Sequence, residues 1–260
     1  MRRPVALVLA VLLAAVPAAA APPDLSGLGF TQHPGAQVPP DARFRDAGGH
    51  AVRFGDLLGG GPIILALGYF HCPNLCGVVQ QDLFHALDLS GLKAGADYRL
   101  VLVSIDPNET SADAARAKAD DLARYPAAGA ARAWHFLTGE PTAIQAVADA
   151  VGFADRFDPA LKQFLHPTGL VFLTGSGRVS GYLLGVGYQA GDVTAGVLRA
   201  RSGGIARAAL PVLLLCFHFD AATGRYTLAI MRIVRAVGAL FVLSLGGLLA
   251  FIGLSERRRA

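Results

Sequence analysis

The stretch Pro62–Ser90, PIILALGYFHCPNLCGVVQQDLFHALDLS, decides the fold. It opens on a continuous apolar run, Pro62 to Phe70, suited to a strand buried on both faces. Pro73 and Asn74 then mark a turn, and Val78, Leu83 and Leu87 follow at helical spacing. Two of the chain's three cysteines, Cys72 and Cys76, sit at the junction of this strand and helix with three residues between them.

Outward from that unit, strand and helix continue to alternate. The segment 42–58 reads as a short hairpin and turn, and Tyr98–Asp106 as a second buried strand. Residues 111–125 read as a helix capped by Ser111 or Thr110, and 133–138 as a strand. Residues 141–152 form a helix with Pro141 at its start and Gly152 past its end. Residues 169–185 carry two strands about a Gly-Ser-Gly turn, and 191–204 a closing helix. Alternation followed by a hairpin gives an α/β class with a mixed sheet. With cysteines at the end of the first buried strand, the order of elements is that of a thioredoxin-like domain.

The ends have a different character. A basic head, Arg2 and Arg3, precedes an apolar and Ala-rich segment, so residues 1–21 are expected to be a cleaved signal peptide. Residues 22–38 are expected to be a flexible lead, 39–205 the folded domain and 206–234 an extension. The uncharged run Ala236–Leu254 would span roughly 28 Å as a helix, close to the thickness of a bilayer core. A transmembrane helix is therefore expected over 235–254. The tail 255–260, with Arg257, Arg258 and Arg259, is expected on the cytoplasmic side. The expected protein is single-pass in the cytoplasmic membrane, with its domain in the periplasm.

This division redistributes the charge. Of the formal +4, two charges belong to Arg2 and Arg3 and a net three to residues 235–260, leaving the domain at −1. A basic surface for nucleic acid is thereby excluded. Export also permits disulfides, yet three cysteines are too few for a disulfide scaffold.

Chemistry is the better explanation of the pair. A helix N-terminus lowers a thiol's pKa, and a turn can bring both sulfurs towards one ion or towards each other. Thioredoxin-type oxidoreductases have two residues between their cysteines, against three here. Two thiolates suit copper(I) or zinc, with a histidine as the usual third ligand. Of the seven histidines, His166 lies just before a buried strand, at the edge where such folds face their cysteines. His71 is expected to point away from the pair. His85 and His135 are expected to be structural, and His33 and His50 solvated.

The segments YFHCPNLC (69–76), VLVSIDPNET (101–110), WHFLTG (134–139) and FLHPTGLVFLTGSGRV (164–179) resemble, in this order, the SCO/SenC family of thioredoxin-fold copper proteins. The likeness runs from about Pro39 to Val186. It implies a copper ion held by Cys72, Cys76 and His166, and a role in maturing the dinuclear copper site of cytochrome c oxidase. Asp106 matches the family's aspartate near the site. A hard carboxylate is disfavoured by copper(I), so Asp106 is expected either behind the ligands or capping its own loop. The chain departs from the common pattern in its C-terminal anchor and in Pro167 after the histidine.

Cys216, His218 and Asp220 alternate with Phe217 and Phe219, so an extended segment would put them on one face. The segment is expected to be a second soft-metal site with Cys216 and His218 as ligands, a lid bringing Cys216 towards Cys72 and Cys76, or a docked strand with Cys216 as a small buried residue. The expected function is a tethered copper chaperone. Its partners would be a copper-accepting oxidase subunit and a thiol reductant or upstream copper donor. The alternative is a thiol–disulfide oxidoreductase that reduces the acceptor's cysteines, with Cys72 and Cys76 as its redox pair.

Overall fold

The computed structural model describes residues 26–71, 76–207, 219–220, 225–226 and 237–238, with backbone alone for 76–79, 219–220 and 225–226. The core of the fold is a seven-stranded mixed sheet. Its centre is β4 (Ile63–Gly68), β5 (Arg99–Ser104) and β6 (Trp134–Gly139), which run parallel. On one side β10 (Gly169–Leu173) pairs antiparallel with β4, and β11 (Val179–Leu184) with β10. On the other, β2 (Arg43–Arg45) pairs antiparallel with β6 and with β3 (Ala51–Arg53).

Strand alternation divides the apolar residues between two cores. Ile63, Leu65, Val101, Val103, Leu137, Val171 and Leu173 face one side. Ile64, Leu100, Leu102, Trp134, Phe136, Leu170 and Phe172 face the other. Because both faces are covered, the central strands read as unbroken apolar runs in the sequence. The second face is covered by α1 (Cys76–Ser90), α2 (Ser111–Arg124), the short α3 (Ala130–Ala133) and α5 (Ala190–Arg201). The first is covered by α4 (Pro141–Ala150) through Ile144, Val147 and Ala148.

Local chemistry sets the helix ends. Thr110 caps α2: its side chain accepts from the Asp113 amide, and the Asp113 carboxylate accepts from the Thr110 amide at 2.8 Å. Pro141 opens α4. Gly152 follows α4 at φ 64°, a conformation that a β-carbon disfavours.

Short elements complete the domain. β1 (Gly29–Phe30) pairs with β7 (Phe153–Ala154), and the Thr31 amide donates to the Gly152 carbonyl at 2.7 Å. Val38 is fully buried, and the Val38 amide donates to the Gly177 carbonyl. The later part of the expected flexible lead is thus held against the domain, because it carries apolar side chains and backbone groups that find partners there. A second hairpin, β8 (Arg156–Asp158) with β9 (Gln163–Leu165), delivers the chain to His166. Asp158 closes its turn by accepting from the amides of Ala160 and Leu161.

In the extension, β12 (Phe219–Asp220) pairs with β13 (Arg225–Tyr226). Among the described residues no helix is long and apolar enough to cross a membrane. The expected signal peptide and, apart from Val237 and Gly238, the run Ala236–Leu254 lie outside the described residues, as does the 255–260 tail.

Candidate metal centre

The β4–α1 junction and the β9–β10 connection meet at the same end of the sheet. Between them is a cavity of about 50 Å³, lined by Gly68, Tyr69 and Phe70 on one side and by His166 and Thr168 on the other. Gln80 of α1 also lines it. Cys72 lies outside the described residues, and Cys76 is described only as the first residue of α1. Both stand in the short segment between Phe70 and Gln80, two residues that line the cavity. Cys216 and His218 lie outside the described residues. Among the described residues no three His, Cys, Asp or Glu side chains gather as a metal cluster.

His166 is half-buried and seated on aromatic rings. The Tyr69 ring meets it edge-on with centroids 5.8 Å apart, and the Phe153 ring lies at 6.0 Å. Phe164 packs in turn against Tyr69, also at 5.8 Å. Nδ1 of His166 is 3.0 Å from the Pro167 carbonyl oxygen. A carbonyl oxygen only accepts, so Nδ1 carries the proton in this contact and the ring's lone pair is on Nε2. That is the tautomer a ligating imidazole adopts when its other nitrogen is anchored. Gly68 faces the ring closely: a β-carbon there would lie 4.0 Å from Cε1. Nearby, burial pushes the Asp155 carboxyl above its ordinary pKa.

Asp106 closes its own turn. Its Oδ1 accepts from both the backbone amide and the side-chain amide of Asn108, each at 2.9 Å. The carboxylate that reaches the cysteine-bearing strand end is Glu109, which sequence reasoning did not single out. Glu109 is buried and accepts from the amides of Phe70 at 2.8 Å and His71 at 2.7 Å. It also accepts from the Ser104 hydroxyl at 2.6 Å. Nothing in the local pattern SIDPNET marks Glu109 for burial, since two of its partners are 38 and 39 residues away.

Among the described histidines only His166 lines the cavity. The His71 ring turns away from the cavity towards Glu109 at 3.1 Å and Asp113 at 3.4 Å. His50 is exposed as expected, whereas His85, expected to be structural, stands on the solvent side of α1 and is exposed too. His135 lies within β6, where burial lowers its pKa. His33 is exposed, with Nδ1 3.2 Å from the Asp149 carbonyl oxygen.

Solved structures share this architecture. A putative electron transfer protein from Aquifex aeolicus VF5 is 24% identical, with 65% of this chain and 95% of that one covered at a TM-score of 0.57. ScoI of Arabidopsis thaliana, solved with copper bound, is 20% identical over 66% of this chain and 98% of that one, at 0.51. BsSco, a member of the Sco family of cytochrome c oxidase assembly proteins, is 21% identical over 66% and 97%, at 0.51. These likenesses carry the fold. Among curated protein sequences none matches significantly. The family model of SCO1/SenC matches residues 32–199, well over half of the chain and every element from the β2–β3 hairpin into α5. The chain belongs to the SCO1/SenC family.

Proposed function

We propose that the protein is a membrane-tethered copper chaperone. It takes one copper ion on Cys72, Cys76 and His166 and delivers it to the dinuclear copper site of cytochrome c oxidase. The observation that carries this reading is the cavity between His166 and the β4–α1 junction, in a chain of the SCO1/SenC family. The donor set fits the cargo: thiolates and an imidazole are the ligands a soft copper ion prefers over carboxylates. Arabidopsis thaliana ScoI, of the same fold, holds copper, and BsSco belongs to an oxidase assembly family.

In this reading the pair is first kept as a dithiol by an exported thiol reductant. An upstream donor loads the ion. Thiolates of the acceptor subunit then displace Cys72 and Cys76 one at a time, with no change in the copper's charge. His166, seated by Tyr69 and Phe153, is the fixed ligand of the three. The domain sits in the periplasm, held by a helix over 235–254, while residues 255–260 stay cytoplasmic.

The test is a copper titration of the reduced full-length chain beside His166→Ala and Cys216→Ala variants. Tight binding of one copper, weakened in the His166 variant and unchanged in the Cys216 variant, supports the three-ligand carrier. No copper binding, with a readily exchanged Cys72–Cys76 disulfide, would replace it with the thiol–disulfide oxidoreductase.

A further inference from the structure

The cavity stands at the Gly169–Leu184 end of the β10–β11 hairpin, beside His166 and Thr168. The other end of the hairpin is the five residues of β10 away, about 17 Å. There Arg178 leaves the connecting turn exposed, and its Nε donates to the Gly35 carbonyl at 3.2 Å. Helix α5 ends nearby. After it the chain turns at Gly203, φ 72°, and comes against β11, where the Ala206 amide donates to the Ser180 carbonyl at 2.7 Å.

That contact sets Ile205 and Ala206 between two guanidinium groups. A β-carbon at Gly35 would lie 3.3 Å from Nη2 of Arg178 and 3.9 Å from Ile205. One at Gly181 would lie 3.1 Å from Ala206 and 3.4 Å from Nη1 of Arg199. With Arg207 next in the chain, three exposed arginines gather about Ile205, itself 37% exposed. None of the three has a carboxylate partner among the described residues, whereas Arg201 close by is paired with Asp97 at 2.7 Å. The opposite edge of the sheet is balanced: Arg43, Arg45 and Arg53 stand among Asp41, Asp46 and Asp56, with Arg53 on Asp56 at 2.8 Å.

We propose that this face, Arg178, Arg199 and Arg207 about Ile205, docks on the anionic headgroups of a membrane surface. Guanidinium groups left without a carboxylate pair readily with phosphate, and each one at an anionic surface adds to the attraction. An exposed isoleucine among them suits the boundary between headgroup and acyl chain. The chain also leaves the described domain at Arg207, within this face, and the uncharged run Ala236–Leu254 follows it in the sequence. Docked in this way, the domain turns its cavity away from the lipid, towards an acceptor. The proposal goes beyond the copper-carrier reading and rests on its tether for what brings a membrane near. The charge of the face itself does not.

The experiment places the full-length chain with lipid nanodiscs of phosphatidylcholine, alone or with about one-third phosphatidylglycerol. Phenylglyoxal then modifies accessible arginines, and mass spectrometry follows each one separately. Arg178, Arg199 and Arg207 should react slower by about threefold or more on anionic discs than on neutral ones, and recover in about 0.5 M salt. Arg43 and Arg45, at the opposite edge, should react alike on both. In Arg178→Gln/Arg207→Gln, Arg199 should lose its protection. Arg43→Gln/Arg45→Gln removes the same charge elsewhere and should leave Arg199 protected. Fluorescence of the single tryptophan, Trp134, reports folding. If the first pair does not fold, Arg199→Gln/Arg207→Gln, read at Arg178, carries the same test. No slowing, slowing on neutral discs as well, or equal slowing of every exposed arginine overturns the proposal. Retention on neutral discs in high salt reports the tether by itself. A chain that washes free removes that reading, while the arginine pattern on anionic discs still decides the face.

Discussion

The imidazole of His166 stands edge-on to the ring of Tyr69, at 5.8 Å between centroids and 74° between planes. Tyr69 is buried, one residue past the end of β4, and Phe164 packs on it from the β8–β9 hairpin. Tyr69 thus links the strand that leads to the cysteines with the segment that delivers the histidine. Replacing it with Leu removes the edge contact but keeps an apolar side chain. The expected loss is about 1–2 kcal/mol in stability, read from the denaturant midpoint. Copper affinity falls severalfold as His166 gains freedom. Unaltered affinity with lowered stability would show that the aromatic seat supports the fold and not the ligand.

Binding of the cargo to the native state alone has a thermodynamic consequence. A ligand at one hundred times its dissociation constant stabilises by about 2.7 kcal/mol. Copper should therefore raise the unfolding midpoint of the reduced chain. The gain should shrink in His166→Ala and vanish once Cys72 and Cys76 are joined as a disulfide. An equal gain in all three forms would place the copper elsewhere.

Helix α5 lies close against the sheet at Gly196. A β-carbon there would meet the Phe172 ring at 2.5 Å, far inside contact distance. Phe172 is buried in β10, between β11 and β4, and cannot swing out to solvent. Gly196→Ala gains helix propensity, yet the overlap outweighs it, and a net loss of about 1–3 kcal/mol is expected. Thermal unfolding of the variant measures it. A stabilised protein would mean that α5 can move off the sheet without cost.

The parts of the fold that were legible in the sequence are those whose patterns repeat over several residues. β4, β5 and β10 are buried on both faces and therefore appear as apolar runs; α1, α2 and α4 show spacing, a cap and a leading proline. The β1–β7 pair was not legible, because two-residue strands have no period and are held by backbone bonds such as Thr31 to Gly152. The β8–β9 hairpin left only the Asp158–Pro159 turn as a signal. At the site, His166 could be picked out from its place before β10. Asp106 was placed near the cysteines by resemblance, whereas the carboxylate that bonds the neighbouring amides is Glu109. No local pattern could reveal that, since the bonds form only when β4 and β5 lie side by side.

Asp121 gives the fold a dependence on pH that can be isolated. It is buried in α2, and burial pushes its carboxyl up to about 6; Arg124 nearby works against the shift and Asp120 with it. Its Oδ2 has no hydrogen-bond partner. A raised pKa means that the folded state binds the proton more tightly than the unfolded chain, whose aspartates titrate near 3.9. The contribution of Asp121 to stability is therefore complete below about pH 4 and is lost as pH rises through about 6. Asp46, Asp56, Asp97 and Asp113 are lowered and act in the opposite direction, gaining as pH rises. The total pH profile mixes these effects, whereas the difference between the parent and Asp121→Asn removes the others. That difference should be flat below pH 4, move in favour of the Asn variant between about 4 and 6, and level off above. Its full change should be on the order of 2–3 kcal/mol at most, set by a shift of about two pKa units. Urea unfolding of both proteins across this range measures it. A difference that stays level with pH would mean that Asp121 reaches solvent in the folded protein.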